Sequence, residues 1–347
     1  MGNFTKNKNT VSTPDYIAEF LTDYLECQGK KCLDPTAGVG SLLQYCDNAF
    51  GIEFIPSVYD ELRNKDPKGT YINASVFDST DWLKEQDFDV VLMNPPFNSE
   101  KASMPAEYQA VYGSKGQDAT KGLYFVEFVA DAVNRGMLAA IVPVGSVADG
   151  KYQNICKTNI LRHHTLRTVI LLNSDLFYPA ASVQAVCLIL ELGVPHNGNT
   201  QFVDFRNDNM VKDRTRGLID KNGTWNEKRG EWKRILQEKP HQPEQKDGCI
   251  TSVIKTVSGE DNWDPKSHFV YDTRPTEEDF YKTVKDYLDF QIKQKGLAQY
   301  LREHPELLPP KQVQLQRISQ RIVQLQAIQA RLALEIVKEE TSCQKKE

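Results

Sequence analysis

Short apolar segments alternate with helical patterns over roughly the first 195 residues of this 347-residue chain, and this alternation limits the possible folds more than any other feature. Strands separated by helices are typical of a parallel sheet that helices cover on both faces. The sequence therefore predicts an α/β fold, with a long mobile loop at residues 97–122, where the alternation is interrupted. Strands are predicted at residues 31–33, 49–52, 70–73, 90–93, 137–142, 168–172 and 186–190, and helices at 15–27 and 123–134 among others.

Composition divides the chain into three predicted regions. Residues 1–195 form the α/β domain, and residues 196–310 form a small accessory region, which is partly basic and is a candidate for contact with a nucleic acid. Residues 311–338 form one amphipathic helix, because apolar residues recur there at spacings of three and four. Such a stripe has to be covered, so the helix either docks on a partner chain or folds back onto its own chain. The stripe consists of Leu315, Ile318, Ile322, Leu325, Ile328, Leu332 and Ile336.

Charge and cysteine usage narrow the class of protein. The net charge of −5 argues only weakly against a polyanionic partner, because residues 151–240 carry an excess of Lys and Arg that could supply local positive potential. The seven cysteines include no CxxC pair, which predicts reduced thiols in the cytoplasm, without a disulfide framework and without a metal site. No apolar run approaches the roughly 18 residues of a membrane span, so no membrane partner is expected.

A glycine-rich motif, LDPTAGVGSLL, follows the first predicted strand. Gly38 and Gly40 have no Cβ, which lets backbone amides approach a ligand closely at the N-terminus of a following helix. Asp34, directly before Pro35, could bind the amino group of that ligand. Glu53 ends the next strand 19 residues after Asp34, where a carboxylate can accept both hydroxyls of a ribose. These residues indicate a nucleoside cofactor, and the departure from GxGxxG disfavours a nicotinamide.

A second motif, DVVLMNPPFN, ends a buried apolar strand in a pair of prolines. Pro95 and Pro96 fix the backbone and remove two amide donors. The side-chain carbonyl of Asn94 and the backbone carbonyl of Pro95 are then left as acceptors. Such a pair suits an amino group that donates two hydrogen bonds while its nitrogen attacks a methyl group. Phe97 offers a flat face on which a planar substrate can stack.

The order of these motifs resembles the DNA adenine-N6 methyltransferases of restriction-modification systems, in particular the gamma group and the modification subunits of type I systems. The segments STPDYIAEFL, GLYFVEFVADAVNRGMLAAIVP and SDLFYPAASVQAVCLILE also match that family. The resemblance implies a Rossmann-like methyltransferase fold, S-adenosyl-L-methionine as cofactor, and a flipped adenine in DNA as substrate. The predicted catalytic residues are Asn94, Pro95, Pro96, Phe97 and Phe177, and the predicted cofactor residues are Thr13, Asp34, Pro35, Gly38, Gly40, Glu53, Asp78 and Phe125.

Four of these assignments come from the resemblance alone. It places Thr13 near the methionine part of the cofactor, Phe125 against the cofactor adenine, and Phe177 against the flipped base. At the end of the third strand the family usually has Gly-Asp or Ala-Asp, whereas this chain has NASVFD. Ser75 takes the expected position, and Asp78 is our prediction for the carboxylate that reads the cofactor adenine.

Two other functions remain open at this level. NPPF-type methyltransferases also act on RNA bases or on protein glutamine, and a catalytically silent subunit could serve only as a scaffold or DNA-binding module. Modification subunits of type I systems hold a specificity subunit through C-terminal helices. The resemblance therefore implies that residues 311–338 bind such a subunit or a second copy of this chain.

Overall fold

The computed structural model describes residues 11–97, 99–238, 251–269, 277–305 and 310–343. No helix among them has both the length and the apolar composition that crossing a membrane requires. The strands are β1 (Cys32–Asp34), β2 (Ala49–Glu53), β3 (Thr70–Asn73), β4 (Val90–Met93), β5 (Gly113–Ser114), β6 (Gln117–Asp118), β7 (Met137–Pro143), β8 (Thr165–Leu171), β9 (Ala185–Glu191), β10 (Asn199–Asp204), β11 (Val211–Asp213), β12 (Gly217–Ile219) and β13 (Thr251–Thr256). The helices are α1 (Asp15–Tyr24), α2 (Pro56–Lys65), α3 (Thr80–Glu85), α4 (Ala106–Tyr112), α5 (Leu123–Val133), α6 (Val144–Val147), α7 (Lys151–His163), α8 (Trp225–Gln237), α9 (Glu277–Lys295), α10 (Leu297–Glu303) and α11 (Lys311–Cys343).

One large sheet organises the first part of the chain. Its strand order, within the described residues, is β13-β10-β8-β9-β7-β4-β1-β2-β3. Neighbouring strands are parallel from β7 to β3 and between β8 and β10. Strand β9 runs antiparallel to both β7 and β8, and β13 runs antiparallel to β10. The predicted α/β sheet is therefore confirmed, with antiparallel strands added to a mainly parallel arrangement.

Both faces of the sheet are buried, which explains why its strands are apolar without alternation. Along β4, Val90 and Leu92 pack in one core cluster, while Val91 and Met93 pack in the other. Helices α1, α2 and α8 contribute to the first of these clusters, and α3, α5 and α7 contribute to the second. The result is a three-layer arrangement in which side chains at the strand ends can be presented to a ligand.

The compact unit continues past the predicted domain boundary at residue 195. Contacts divide the chain into residues 1–273 and residues 274–347, because β10 and β13 extend the large sheet beyond that point. Helix α8 packs on α1, where Trp232 lies 5.2 Å from Phe20 and 4.4 Å from Phe205 between ring centroids. Part of the region predicted as accessory, 196–310, therefore belongs to the main core.

The prediction of a long mobile loop at residues 97–122 is wrong. The described part of this segment contains α4 and the β5–β6 hairpin. The Tyr112 hydroxyl donates to Glu127 Oε2 at 2.5 Å, and Asn159 Nδ2 donates to Glu127 Oε1 at 3.0 Å. Glu127 lies on α5 and Asn159 on α7, so a buried polar network attaches the segment to two core helices. Tyr112 is the residue through which the segment joins this network, and a reading of local sequence cannot detect contacts with such distant partners.

The second unit, residues 274–347, contains α9, α10 and α11. Helix α11 is continuous over Lys311–Cys343, which includes the amphipathic stretch predicted at 311–338. Its apolar side chains are exposed at Leu315, Ile318, Ile322, Leu325, Ile328 and Leu332.

Candidate active site

The predicted motifs converge at the carboxyl ends of β1, β2 and β4. The chain runs outward in one direction from β1 to β2 and β3, and in the other direction to β4 and β7. The gap between β1 and β4 is therefore a point where strand order reverses, and ligands of open α/β sheets bind outside such points. Asp34 ends β1, Glu53 ends β2, and Asn94 directly follows β4. Parallel pairing alone places these three residues at one edge of the sheet.

Glu53 ties the glycine-rich turn to the end of β2. Its Oε2 accepts a hydrogen bond from the Gly38 amide at 2.8 Å, and its Oε1 accepts one from the Ile55 amide at 2.7 Å. Each carboxylate oxygen has two lone pairs, so the group can still accept from two further donors such as ribose hydroxyls. Glu53 is only 8% exposed. Its position is thus held by the backbone before any ligand arrives.

The turn itself needs glycine at two positions. Gly38 and Gly40 have φ values of 53° and 76°, a region that residues with a Cβ disfavour. A Cβ on Gly40 would lie 2.6 Å from Leu62 Cδ1 of α2. Residues 41–45 continue as turns, so the predicted helix after the motif is wrong. The amides of this segment, rather than a helix dipole, are what approaches a ligand here.

Asp34 is a buried carboxylate beside this turn. It is 2% exposed, and its Oδ1 accepts from the Thr36 amide at 2.9 Å and from the Thr36 hydroxyl at 3.3 Å. Burial raises its pKa to about 7 and the negative charge of Glu53 adds to this, while the hydrogen bonds from Thr36 act in the opposite direction. Pro35, which follows, is also buried. A buried carboxyl group whose hydrogen bonds come from the neutral amide and hydroxyl of Thr36 is suited to bind a cationic group, and the bound cation would favour its ionised form.

The ends of β2 and β3 contribute two residues that the sequence interpretation missed. Asn73 Nδ2 donates to the Glu53 carbonyl at 2.7 Å and to the Phe54 carbonyl at 3.2 Å. Phe54, directly after Glu53, leaves 72% of its surface exposed. A large exposed aromatic side chain next to a buried carboxylate is unusual. The sequence FGIEFIP, in which Phe54 directly follows Glu53, could have indicated this pair.

Asn94 is oriented by the N-terminal segment. Its Nδ2 donates to the Val11 carbonyl and to the Thr13 hydroxyl, both at 3.1 Å. Both amide hydrogens are thereby used, and the hydrogen bonds of the described residues leave Oδ1 without a donor. Thr13 is 3% exposed and precedes Pro14, the N-cap residue of α1. The leading TP dipeptide therefore holds the Asn94 amide in one orientation, a contact between residues 81 positions apart.

The segment that precedes α5 packs closely against the proline pair. Pro95 is buried and Pro96 is exposed. Gly122 has a φ of 91°, and a Cβ there would lie 2.8 Å from the Pro96 carbonyl oxygen. Asp118 shapes this approach, because its Oδ2 accepts from the Gly122 amide at 2.6 Å and its Oδ1 from the Thr120 amide at 2.7 Å. Only glycine permits such close packing at position 122.

Phe97 and Phe177 come together, although they are 80 positions apart in the chain. Their ring centroids lie 5.8 Å apart and their planes are inclined at 62°, an edge-to-face contact. Phe177 is 3% exposed, whereas Phe97 is half-buried. A planar base cannot lie between two rings that touch edge to face, so one ring has to rotate before a base can be held between them.

Phe125 and Asp78 lie around a second aromatic cluster. Phe125 is 7% exposed, and its ring centroid lies 4.9 Å from that of Phe77. Phe77 and Asp78 belong to one 3-10 turn, which the Ser75 hydroxyl caps by accepting from the Phe77 amide at 3.3 Å. Asp78 itself is exposed. Ser75, in the position where the family has its carboxylate, thus has a local structural role, and the role of Asp78 stays a prediction.

Comparisons with known proteins show what this chain is similar to. Among curated proteins, the chain is 28% identical over 325 residues to the Type II restriction enzyme and methyltransferase RM.BcgI of Heyndrickxia coagulans, covering 84% of this chain and 47% of that relative. The chain therefore spans about half the length of this relative.

Solved structures show the same fold at low sequence identity. The methyltransferase subunit of a type I restriction-modification system from Streptococcus thermophilus is 19% identical with a TM-score of 0.55, over 73% of this chain and 56% of that chain. The M protein of the type I restriction enzyme EcoKI is 15% identical with a TM-score of 0.52, over 90% and 76%. These likenesses confirm the α/β Rossmann-like methyltransferase fold.

The family itself is shown by a match to a family model. A family model described as N-6 DNA Methylase matches residues 61–245, which is more than half of the chain and includes Asn94, Pro95, Pro96 and Phe97. This match, together with the acceptor pair at the end of β4, leads to one conclusion: the chain belongs to the N-6 DNA methylase family.

Proposed function

We propose that this protein transfers the methyl group of S-adenosyl-L-methionine to the exocyclic amine of adenine in DNA. The observation that carries the proposal is the state of Asn94. Both hydrogens of its amide are engaged by Val11 and Thr13, so its Oδ1 is available as an acceptor at the carboxyl end of β4. In the described residues no backbone amide donates to the Pro95 carbonyl either, and two free acceptors side by side match the two hydrogens of an amine.

The groups at the ends of β1 and β2 fit the proposed cofactor. S-adenosyl-L-methionine carries an ammonium group and two ribose hydroxyls, all of which are donors. Asp34 supplies a buried carboxylate for the ammonium, and Glu53 supplies one for the hydroxyls. Phe54 and Phe125 are the aromatic side chains that we assign to the flat adenine of the cofactor, with Asp78 as its polar contact.

The residues at the end of β4 position the reacting amine. Asn94 Oδ1 and the Pro95 carbonyl accept its two hydrogens, which directs the nitrogen lone pair away from both acceptors. The cofactor supplies a methyl group on a positively charged sulfur, which is an excellent leaving group, so no general base is needed before attack. As the nitrogen becomes positive, the two fixed dipoles interact with it more strongly, and this difference between ground state and transition state accelerates the reaction.

Phe97 and Phe177 occupy the space that the planar base would need. A base inside a duplex is out of reach, so the adenine has to leave the stack. We assign the stacking faces to Phe97 and Phe177, whose edge-to-face contact is then the closed state of the base pocket. Rotation of the half-buried Phe97 opens it, because Phe177 is fixed in the core.

Contact with the DNA backbone is assigned to basic residues of the 196–310 region, where local positive potential would attract phosphates. Some of these charges already have acidic partners. Arg229 Nη1 lies 2.5 Å from Glu19 Oε1, and Lys228 Nζ lies 2.7 Å from Glu231 Oε2. We therefore expect the DNA-facing positive potential to come from other basic side chains of this region, such as Arg214.

The chain's relatives point to a restriction-modification setting, and α11 is the element that we assign to partner binding. Its apolar side chains are exposed over more than four turns. A specificity subunit or a second copy of this chain would cover them. A chain ending at Pro310 should keep its affinity for S-adenosyl-L-methionine and lose self-association or partner capture on a sizing column. Aggregation of that shorter chain would assign the helix to the core instead.

The function is tested by offering the full chain three acceptors with radiolabelled S-adenosyl-L-methionine. The acceptors are duplex DNA of mixed sequence, RNA of the same sequence, and a peptide that contains glutamine. Label in N6-methyladenine of the DNA alone supports the proposal. Label in the RNA or in the peptide supports the alternative substrates, and cofactor binding by calorimetry without any transfer supports a silent subunit.

A further inference from the structure

Three cysteines meet at the edge of the sheet opposite the active site. Cys32 is the first residue of β1, Cys27 follows the end of α1, and Cys46 precedes β2. Their Sγ atoms all lie within 4.8 Å of one another. The parallel strands β1 and β2 begin at this edge and end at the active site, so the cluster is separated from the catalytic residues by the length of the strands.

The spacing of the three sulfurs fits a single metal ion. A zinc ion binds thiolate sulfur at about 2.3 Å in tetrahedral geometry, which places two ligand sulfurs about 3.8 Å apart. Three sulfurs within 4.8 Å need only small shifts to reach that arrangement. Thiolates are soft ligands, which favour zinc over magnesium or calcium.

The three cysteines differ in their exposure to solvent. Cys27 and Cys32 are buried, at 1% and 0% exposure, whereas Cys46 is partly exposed. A fourth coordination position can therefore be reached from solvent on the Cys46 side. The backbone here is already fixed, because the Asp47 carboxylate accepts from the Gly29 amide at 3.0 and 3.2 Å. Preformed backbone reduces the entropy that metal binding would otherwise cost.

We propose that Cys27, Cys32 and Cys46 bind one Zn²⁺ ion as three thiolates, and that this site clamps the end of α1 to the starts of β1 and β2. Each thiol releases its proton to solvent as its sulfur coordinates the ion. A water molecule completes the four ligands. The proposal departs from the sequence prediction of no metal site, because the three residues are five and fourteen positions apart and match no CxxC spacing.

The site has a structural role in this proposal, so it is independent of the proposed methyl transfer. A preformed site should bind zinc more tightly in the folded chain than in the unfolded one, so zinc should raise the thermal midpoint as its concentration increases. Methyl transfer is measured separately, and a failure of one proposal leaves the other untouched.

The test uses the full chain, reduced and stripped of metal with a chelator. Cobalt(II) is added first, since cobalt bound to thiolates gives an intense charge-transfer absorption in the near ultraviolet. We expect one cobalt per chain, its displacement by zinc, and a rise in thermal midpoint on zinc addition that a chelator reverses. Loss of an outer contact of a metal site costs 10- to 100-fold in affinity, so loss of a direct ligand in Cys46→Ala should weaken zinc binding by at least about 100-fold.

The matched control is Cys187→Ala, which removes a buried thiol of β9 outside the cluster. It should bind zinc like the unmodified protein. Cys46 is partly exposed, so its replacement should not unfold the chain, and circular dichroism of both variants checks this. The proposal is overturned by the absence of the charge-transfer band, by equal zinc affinity in both variants, or by a disulfide between two of the three cysteines in freshly purified protein.

Discussion

The two sides of the active site use opposite kinds of group. At the ends of β1 and β2, the carboxylates of Asp34 and Glu53 are buried and held by backbone amides. At the end of β4, Asn94 and Pro95 provide neutral acceptors, and Pro95 and Pro96 have no amide hydrogen to donate. The first side offers carboxyl groups, and the second side offers only neutral dipoles.

This difference has a physical reason under the proposed function. A cofactor that carries a positive charge before and after binding is held best by fixed anions. A reacting amine gains positive charge only in the transition state, and a carboxylate beside it would stabilise the charged cofactor in the ground state as well. Neutral dipoles in a fixed orientation favour the transition state with less of that uniform binding.

The largest effect is expected from Asn94→Ala. Loss of an acceptor at the reacting atom should cost at least about 3 kcal/mol, roughly 100-fold in rate, while cofactor affinity stays nearly unchanged. Transfer rate under saturating cofactor and calorimetric affinity are measured on the same preparation. Asn222→Ala, in an exposed turn, is the control. Unmodified turnover in Asn94→Ala would contradict the proposed mechanism.

The converse change is Glu53→Ala. It removes a carboxylate that we assign to the ribose, and the loss of one or two charge-assisted hydrogen bonds should weaken cofactor affinity by roughly 10- to 100-fold. Glu53 also holds the amides of Gly38 and Ile55, so Glu53→Gln is needed to separate the effect of charge from that of positioning. The glutamine retains one acceptor oxygen, and the cofactor affinity of this variant should lie between those of the unmodified protein and Glu53→Ala. Calorimetric dissociation constants of the three proteins check this order, and equal values would move the ribose site elsewhere.

A pH titration isolates the charge of Asp34. Burial raises its pKa in the folded chain to about 7, above its value of about 4 in an unfolded chain. The stability that the protonated form provides is therefore complete below pH 4 and is lost as the pH rises to 7, by up to about 1.4 kcal/mol for each pH unit. Relative to Asp34→Asn, the unmodified protein should lose free energy of unfolding across this window.

Urea unfolding at several pH values measures this difference. Asp60→Asn, an exposed carboxylate on α2, controls for the loss of one negative charge. A difference between Asp34→Asn and the unmodified protein that stays constant from pH 4 to 7 would show that Asp34 is not the buried acid described here.

The smallest effect is expected from Thr13→Val. It removes one of the two hydrogen bonds that orient Asn94 and should lower the rate of transfer by roughly fivefold, since a hydrogen bond contributes about 1 kcal/mol. Thr13→Ser keeps the hydroxyl and should restore the rate. A Thr13→Val variant that loses cofactor affinity with no loss of rate would show that Thr13 contacts the cofactor, as the family resemblance implies, and does not orient Asn94.

Seven of the nine strands described in the large sheet, all except β10 and β13, could be predicted from the sequence, as could the main residues of its carboxyl edge. Continuous apolar segments can be satisfied only when both faces of a strand are covered, so the strand positions follow from local composition. The positions of Asp34, Glu53 and Asn94 follow in turn, because side chains directly after parallel strands share one edge. Prolines restrict and glycines widen the range of their own backbone dihedral angles, so their effects can be predicted without knowledge of the fold.

The contacts between distant segments could not be predicted from the sequence and are visible only in the tertiary structure. The hydrogen bonds from Asn94 to Val11 and Thr13, the edge-to-face contact of Phe97 with Phe177, and the meeting of Cys27, Cys32 and Cys46 all join parts of the chain that no local pattern connects. The same holds for the segment before α5, whose Tyr112 joins Glu127 and Asn159 in one hydrogen-bond network. Hydrogen bonds and packing depend on distance in space, and that distance is set by the whole sheet rather than by the neighbouring sequence.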